Sequence, residues 1–212
     1  MRSERVLRIA VLLAVLLTAS TMTGIAKAGT ADAHVAAVWQ PQIVKFEYRA
    51  GNTLYTCRSL QRKVERILLQ VGARERARFR RFYCGELSHI VSAEIAVMTP
   101  LEATDENLRR LTDYDSREIL IARVHGQRLP GAAELPVFPA AWKRMTLPET
   151  RFGHGDCDLL QQLRQQVLPK LSVRIVSSNL EHCSTVFGKG AAPHLVVQAL
   201  IAEPVDRVVE AR

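Results

Sequence analysis

Two segments of the sequence that lie about 100 residues apart resemble each other, and each is bracketed by two cysteines. Cys57 and Cys84 bracket the first segment, whereas Cys157 and Cys183 bracket the second. The apolar positions after the first cysteine correspond in the two segments: Leu60, Ile67, Leu68 and Val71 match Leu160, Val167, Leu168 and Leu171. This pattern predicts an internally duplicated domain that disulfides hold together, as is typical of an oxidising compartment.

The four cysteines allow three ways of forming two disulfides. The repeat favours Cys57–Cys84 and Cys157–Cys183, because each bond then closes a loop of similar size within its own segment. The alternative is a zinc site built from cysteine and histidine. Since the chain contains no CxxC pair, the spacing does not favour such a site, and we predict no bound metal.

Residues 1–28 have the pattern of a secretory signal peptide. Three arginines precede the apolar run Ile9–Leu17, and Ala26-Lys27-Ala28 is a small-x-small cleavage site. The sequence therefore predicts a periplasmic or secreted protein, with an uncleaved membrane anchor as the alternative. Removing residues 1–28 deletes four basic residues and one acidic residue, which lowers the formal net charge from +8 to +5. The remaining chain is basic enough to favour anionic partners.

The expected fold class is α+β, an antiparallel-rich sheet built from two similar βαββ halves with the helices packed on one face. The predicted organisation is a signal peptide at 1–28, a flexible lead at 29–37, a first half at 38–100, a helical linker with a proline-rich loop at 101–140, a second half at 141–204 and a tail at 205–212.

Apolar spacing and capping residues predict the helices. Leu60, Val64, Ile67, Leu68 and Val71 form one stripe of a helix that begins at Cys57, and Gly72 is placed to end it. A second helix is predicted from Cys157 to about Gln166 or Leu168, with Asp156 as its N-cap. Thr104 can cap one linker helix, and Asp115 or Ser116 can start another. Residues 119–124 could instead form a strand, but the flanking cap residues favour a helix.

Alternating side chains predict strands over 43–49 and 92–98, the latter stopped by Thr99-Pro100. Between them, the alternation places Arg76, Arg78, Arg80 and Phe82 on one side of a strand and Ala77, Phe79, Arg81 and Tyr83 on the other. Further strands are expected over 141–147, 171–176 and 194–202.

The run Tyr55-Thr56-Cys57-x-x-Leu60-x-x-Lys63-Val64-x-x-Ile67-Leu68-x-x-Val71-Gly72-Ala73 resembles a segment of uncharacterised exported bacterial proteins. The later block from Asp156-Cys157-Asp158-Leu159 to Val167-Leu168-Pro169-Lys170-Leu171 is similar to their second half. The resemblance implies an exported protein. It brings with it no activity, substrate or catalytic residue.

The arginines give the clearest functional indication. Arg76, Arg78 and Arg80 would line one strand face roughly 7 Å apart, at about 3.3 Å per residue, and can meet phosphates or carboxylates. Arg62 and Arg66, on the helix before that strand, are further candidates for anion binding. The alternative is a sheet face that is charged only for solubility.

The sequence therefore favours a non-enzymatic exported domain that binds an anionic or envelope partner, with nucleic acid the less favoured partner. We predict no catalytic residue and no cofactor. One alternative is a hydrolytic or metal-dependent enzyme, which would use His154 with Asp156, or His34 as a first residue that chelates copper. Another alternative is an inhibitor-like domain, for which no reactive loop can be identified.

Overall fold

The computed structural model describes residues 34–51, 53–85, 89–147, 156–180 and 194–204. The described residues form a single antiparallel sheet of six strands in the order β2-β3-β1-β4-β6-β5. The strands are β1 (His34–Arg49), β2 (Arg78–Tyr83), β3 (Ile90–Glu102), β4 (Phe138–Leu147), β5 (Val173–Ser178) and β6 (Leu195–Ala202). Because β2 and β5 end this order, they are the edge strands.

Four α-helices accompany the sheet in the described chain. They are α1 (Cys57–Gln70), α2 (Asp105–Leu111), α3 (Ser116–Val124) and α4 (Cys157–Gln166), and short 3₁₀ turns lie at Ala132–Glu134 and Leu168–Lys170. The predicted α+β class with an antiparallel sheet is confirmed. The helix predicted at residues 119–124 is confirmed too, since α3 covers them.

One face of the sheet packs against α1 and α4. Val44, Phe46 and Tyr48 of β1 point to this side and join one core with Leu60 of α1 and Leu163 of α4. Alternation along a strand sends the intervening residues to the opposite face. That second face, which includes the exposed Ile43, is called the open face below.

The centre of the sheet is only partly closed by strand pairing. β1 pairs with β3 from Ala37 to Arg49, but it pairs with β4 only from His34 to Ala37. Farther along β1, the side chains of Gln162 and Gln166 in α4 take the place of a neighbouring strand. Each glutamine accepts a hydrogen bond from a β1 backbone N–H and donates one to the C=O of the same residue. Helix α4 thereby binds directly to β1.

Local capping agrees with the sequence at several ends. The hydroxyl of Thr104 accepts from the N–H of Asn107, and Asp115 forms a reciprocal capping box with Glu118. Gly72 follows α1 with φ +96°, a conformation that favours glycine, and an added Cβ would lie 2.5 Å from the Leu200 carbonyl oxygen. These three predicted boundaries are confirmed.

Several strands extend beyond their predicted ends. β1 begins at His34, so residues 34–37 of the predicted flexible lead are strand, and β4 takes up Phe138–Ala140 of the predicted loop. β3 continues through Pro100 to Glu102. Pro100 is tolerated because β2 pairs only with Ser92–Ala96, so at this position the proline removes no hydrogen bond to β2. The predicted signal peptide and tail lie outside the described residues.

Candidate anion-binding site

Three arginines line the open face at the β2 edge of the sheet. Arg76, Arg78 and Arg80 are exposed, whereas the intervening Ala77 is buried and Phe79 packs partly against the core. The alternation predicted from the sequence holds as far as Arg80. The structure therefore brings these three predicted residues together in one row.

The row borders a shallow groove of about 480 Å³. Sheet pairing explains its floor, because Arg78 lies opposite Ala96, and Ala96 lies opposite Ile43. The groove is lined by Pro41, Gln42, Ile43, Glu75, Arg76, Arg78, Arg80, Ala96, Val97 and Met98. It thus combines a largely apolar floor with a basic rim and has the size range of small-ligand sites.

The three arginines lack carboxylate partners among the described residues, since none of the ion pairs found there includes them. Arg81, in contrast, does have a carboxylate partner, since it forms an ion pair with Glu94 at 3.0 Å. The positive charge of the row is therefore available to a ligand, with Glu75 as the acidic residue of the lining.

Beyond Arg80 the predicted alternation is wrong. The register of β2 against β3 shifts between Arg80 and Tyr83, and Arg81 adopts φ 47° in the left-handed region. Phe82, not Tyr83, consequently turns toward the core and packs on Phe79 at 5.4 Å between ring centroids. Tyr83 remains 69% exposed. A bulge adds one residue to a strand, and a period of two in the sequence cannot reveal it.

The two helical candidates are placed elsewhere. Arg62 and Arg66 lie exposed on α1, which packs against the other face of the sheet. Neither lines the groove. The structure therefore separates these two residues from the row.

Two tryptophans, Trp39 of β1 and Trp142 of β4, contact arginines outside the row, and neither lines the groove. The guanidinium carbon of Arg74 lies 5.4 Å from the centroid of Trp39, and that of Arg174 lies 4.0 Å from the centroid of Trp142. Phe138 stacks on Trp39 at 4.5 Å between ring centroids. Arginine and aromatic side chains thus already contact these rings, which makes the pair poor stacking platforms for a sugar.

A disulfide fixes the end of β2. Cys57, the first residue of α1, is bonded to Cys84, the residue after β2, as predicted. Cys157 at the start of α4 is also disulfide-bonded. Its predicted partner, Cys183, lies outside the described residues.

A buried charge cluster joins α1 to the start of α4. Lys63 Nζ donates to both carboxylate oxygens of Asp156, at 2.5 and 2.6 Å, and the Tyr55 hydroxyl donates to the same carboxylate. Asp156 is only 4% exposed. It stands at the N-cap position of α4 as predicted, but its side chain makes no capping hydrogen bond. Its backbone, at φ −91° and ψ 2°, does not have the extended conformation that is typical of a capping residue.

Burial dominates the electrostatics of this cluster. It raises the pKa of Tyr55 strongly, and the hydrogen bond to Asp156 raises that pKa further. Burial also raises the pKa of Tyr48, with a smaller effect from Asp158. Both phenols therefore stay neutral over the physiological range. The carboxylate of the cluster is buried, and the cluster functions as a structural ion pair.

The residues of the enzymatic alternative are not brought together in the described chain. His154 lies outside it, and His34 is part of β1 with Nδ1 2.9 Å from Glu203 Oε2. Among the described residues there is no group of three or more His, Cys, Asp or Glu side chains that could hold a metal ion. No helix within the described ranges is long and apolar enough to cross a membrane.

The chain matches no protein-family model, no curated protein and no solved structure.

Proposed function

We propose that this protein is an exported, non-enzymatic domain that binds an anionic partner in the groove beside β2. The observation that carries the proposal is the row of three exposed guanidinium groups without carboxylate partners, Arg76, Arg78 and Arg80, beside an apolar floor. Guanidinium groups bind carboxylates and phosphates with two parallel hydrogen bonds. The floor adds contact area for the apolar part of the same partner.

Location in the periplasm or outside the cell is part of the proposal. The Cys57–Cys84 disulfide supports it, because such bonds form and persist in oxidising compartments. The basic, apolar and small-residue pattern of residues 1–28 supports it independently. Recovery of the mature protein from the periplasm would test its location. Determination of its N-terminus by mass spectrometry would test the removal of residues 1–28.

Binding to poly-L-glutamate, a polymer that carries only carboxylates, tests the groove. The triple variant Arg76→Ser, Arg78→Ser and Arg80→Ser should weaken the affinity measured by calorimetry about tenfold or more, since each lost ion pair contributes up to about 1 kcal/mol. The control triple variant Arg109→Ser, Arg117→Ser and Arg123→Ser removes the same charge from exposed positions on α2 and α3.

The control keeps the overall electrostatic attraction equal in the two variants. Equal loss of affinity in both would mean that net charge alone is responsible, and this result would refute the groove as the site. Unchanged circular dichroism and thermal unfolding of both variants would show that the exposed substitutions leave the fold intact.

We also infer that segments 38–100 and 141–204 arose by duplication. The sheet order supports this, because β2-β3-β1 on one side is mirrored by β5-β6-β4 on the other. The Arg74–Trp39 and Arg174–Trp142 pairs support it further, since they occupy corresponding places in the two segments. A crystal structure in which α1 with β1–β3 cannot be superposed on α4 with β4–β6 would contradict the duplication.

A further inference from the structure

We propose that the partner is an acidic peptide segment that adds as an extended strand to the outer edge of β2 over Arg78–Arg80 and continues along the two residues that precede the strand, 76 and 77. This inference rests on the proposed function, because it names a partner for the same arginine row. It places the backbone of that partner outside β2, so that the acidic side chains meet the arginines from the edge of the sheet and the apolar floor is not required for binding. An added strand contributes backbone hydrogen bonds for affinity and side-chain contacts for specificity.

The outer edge of β2 is open to such an addition. β2 is the terminal strand of the sheet and pairs on its inner side with β3. Within the described chain, no hydrogen bond outside the β2–β3 ladder involves the backbone of residues 76–80. An edge of this kind presents N–H and C=O groups that another strand can pair with.

The spacing of the arginines matches the spacing of side chains on an added strand. Arg78 and Arg80 lie about 7 Å apart on one face of β2, and Arg76, two residues before Arg78, lines the same groove. Acidic residues at every second position of an extended peptide have the same repeat. Each carboxylate would then lie opposite or diagonal to one guanidinium, at a distance of about 5 Å between Cβ atoms.

The bulge limits the length of the added strand. Arg81 has φ 47°, and the register shifts between Arg80 and Tyr83. A bulge bends the strand and interrupts regular pairing. The regularly paired edge therefore runs from Arg78 to Arg80. A segment of about five residues with three acidic side chains would cover this edge and the two residues before it.

The same charges select against other strands. A second copy of β2 would place arginine against arginine, and a neutral strand would leave three guanidinium groups without counter-charge. The other edge strand, β5, carries one arginine, Arg174, and exposes Ile175 and Val176. Charge complementarity thus favours β2 over β5 for an acidic segment.

The test uses two synthetic peptides of identical composition and a series of N-methylated derivatives. The first peptide alternates Glu and Thr, with Glu at three alternate positions, and the second has the three Glu residues in succession. The series consists of the alternating peptide with a methyl group on one backbone amide at a time. We expect the alternating peptide to bind the wild-type protein about tenfold more tightly than the block peptide, as measured by fluorescence anisotropy.

N-methylation of the peptide backbone distinguishes strand addition from attraction between charges alone, because it removes a hydrogen-bond donor and changes no charge. Strand addition predicts that methylating every second amide weakens binding about tenfold, whereas methylating the intervening amides, which point away from β2, has little effect. Equal binding of the alternating and block peptides, with no pattern in the methylated series, would overturn strand addition.

The outcomes separate this inference from the proposed function. If poly-L-glutamate still binds and depends on Arg76, Arg78 and Arg80, the groove stands even when strand addition fails. If vesicles of anionic phospholipid bind through the row more tightly than the alternating peptide does, the partner is a lipid surface and the inference is wrong. If no anionic probe distinguishes the triple variant from its control, both proposals fail.

Discussion

Lys63 lies on α1 as a partly exposed residue and is neutralised by the buried Asp156. Its side chain is 24% exposed, and the carboxylate that it contacts is 5% exposed. A charge this deeply buried is tolerated only with a partner and complete hydrogen bonding. The apolar stripe of α1 was predictable from its spacing, but the partner of Lys63 was not, since Asp156 lies 93 residues away in the chain.

Removing the lysine should destabilise the fold, because the buried carboxylate of Asp156 loses the cation that it contacts. Lys63→Met is expected to lower the free energy of unfolding by about 3–5 kcal/mol, because Asp156 then stays buried without its cation. Urea unfolding measures the change, with Arg62→Met on the exposed side of α1 as the control. The double variant Lys63→Leu with Asp156→Asn should recover part of the loss. A loss below about 1 kcal/mol for Lys63→Met would contradict a structural role for the pair.

The buried phenols should make the protein sensitive to alkali. The pKa of Tyr55 in the folded state is raised above its ordinary value of 10.0. Its contribution to stability is therefore fully present below about pH 10 and is lost as the pH rises further, because the unfolded chain then releases a proton that the folded chain retains.

Denaturant midpoints measured from pH 8 to pH 11 test this dependence. Tyr55→Phe should flatten the decline above about pH 10, whereas Tyr83→Phe, at an exposed tyrosine, should keep the decline of the wild type. The same slope in all three proteins would show that Tyr55 is not the responsible group.

At the scale of elements, helix α4 acts as a neighbour for β1 through two glutamines. Gln166 bonds to both backbone groups of Glu47, and Gln162 does so at Arg49, with distances of 2.7–2.8 Å. Gln166→Ala should destabilise the protein by about 1–3 kcal/mol, since two partly buried backbone groups lose their partners. The matched control is Gln165→Ala on the exposed side of α4.

Gln162→Ala should lower the free energy of unfolding less than Gln166→Ala does. The hydrogen bonds of Gln162 are exposed, so water can replace the lost partner. Urea unfolding measures the cost of each substitution, and amide hydrogen exchange at Glu47 and Arg49 locates it. Unchanged exchange at Glu47 in Gln166→Ala would contradict this function of the helix.

Elements differ in how far the sequence determines them. The helix from Cys57 was predictable because five apolar residues share one stripe and Gly72 ends it. The course of β2 after Arg80 was not, because the bulge depends on pairing with β3. The arginine row was predicted from alternation, whereas its apolar floor comes from Ile43 and Met98 on other strands, which only the sheet order brings beside it.

At the scale of the whole molecule, the Cys57–Cys84 disulfide links the helical layer to the edge of the sheet. It closes a loop with a sequence separation of 27. The paired substitutions Cys57→Ser and Cys84→Ser should lower the free energy of unfolding by about 3–4 kcal/mol, since the unfolded chain gains freedom. A change below about 1 kcal/mol in urea unfolding would contradict a stabilising role for this bond.

The same double variant should also weaken binding of the alternating peptide. The disulfide holds the residue directly after β2, so without it the edge strand is free to fray and must be ordered on binding. Anisotropy titrations well below the unfolding temperature separate this effect from global unfolding. Identical affinities with and without the disulfide would show that β2 is ordered by the sheet alone.

Hydrogen exchange of individual amides, measured by NMR with and without saturating alternating peptide, tests the central claim most directly. If the acidic segment adds to β2, alternate amides within residues 76–80 gain protection, while β5 amides over Val173–Ser178 do not change. Protection centred on any other element, or binding without protection in residues 76–80, would contradict the account.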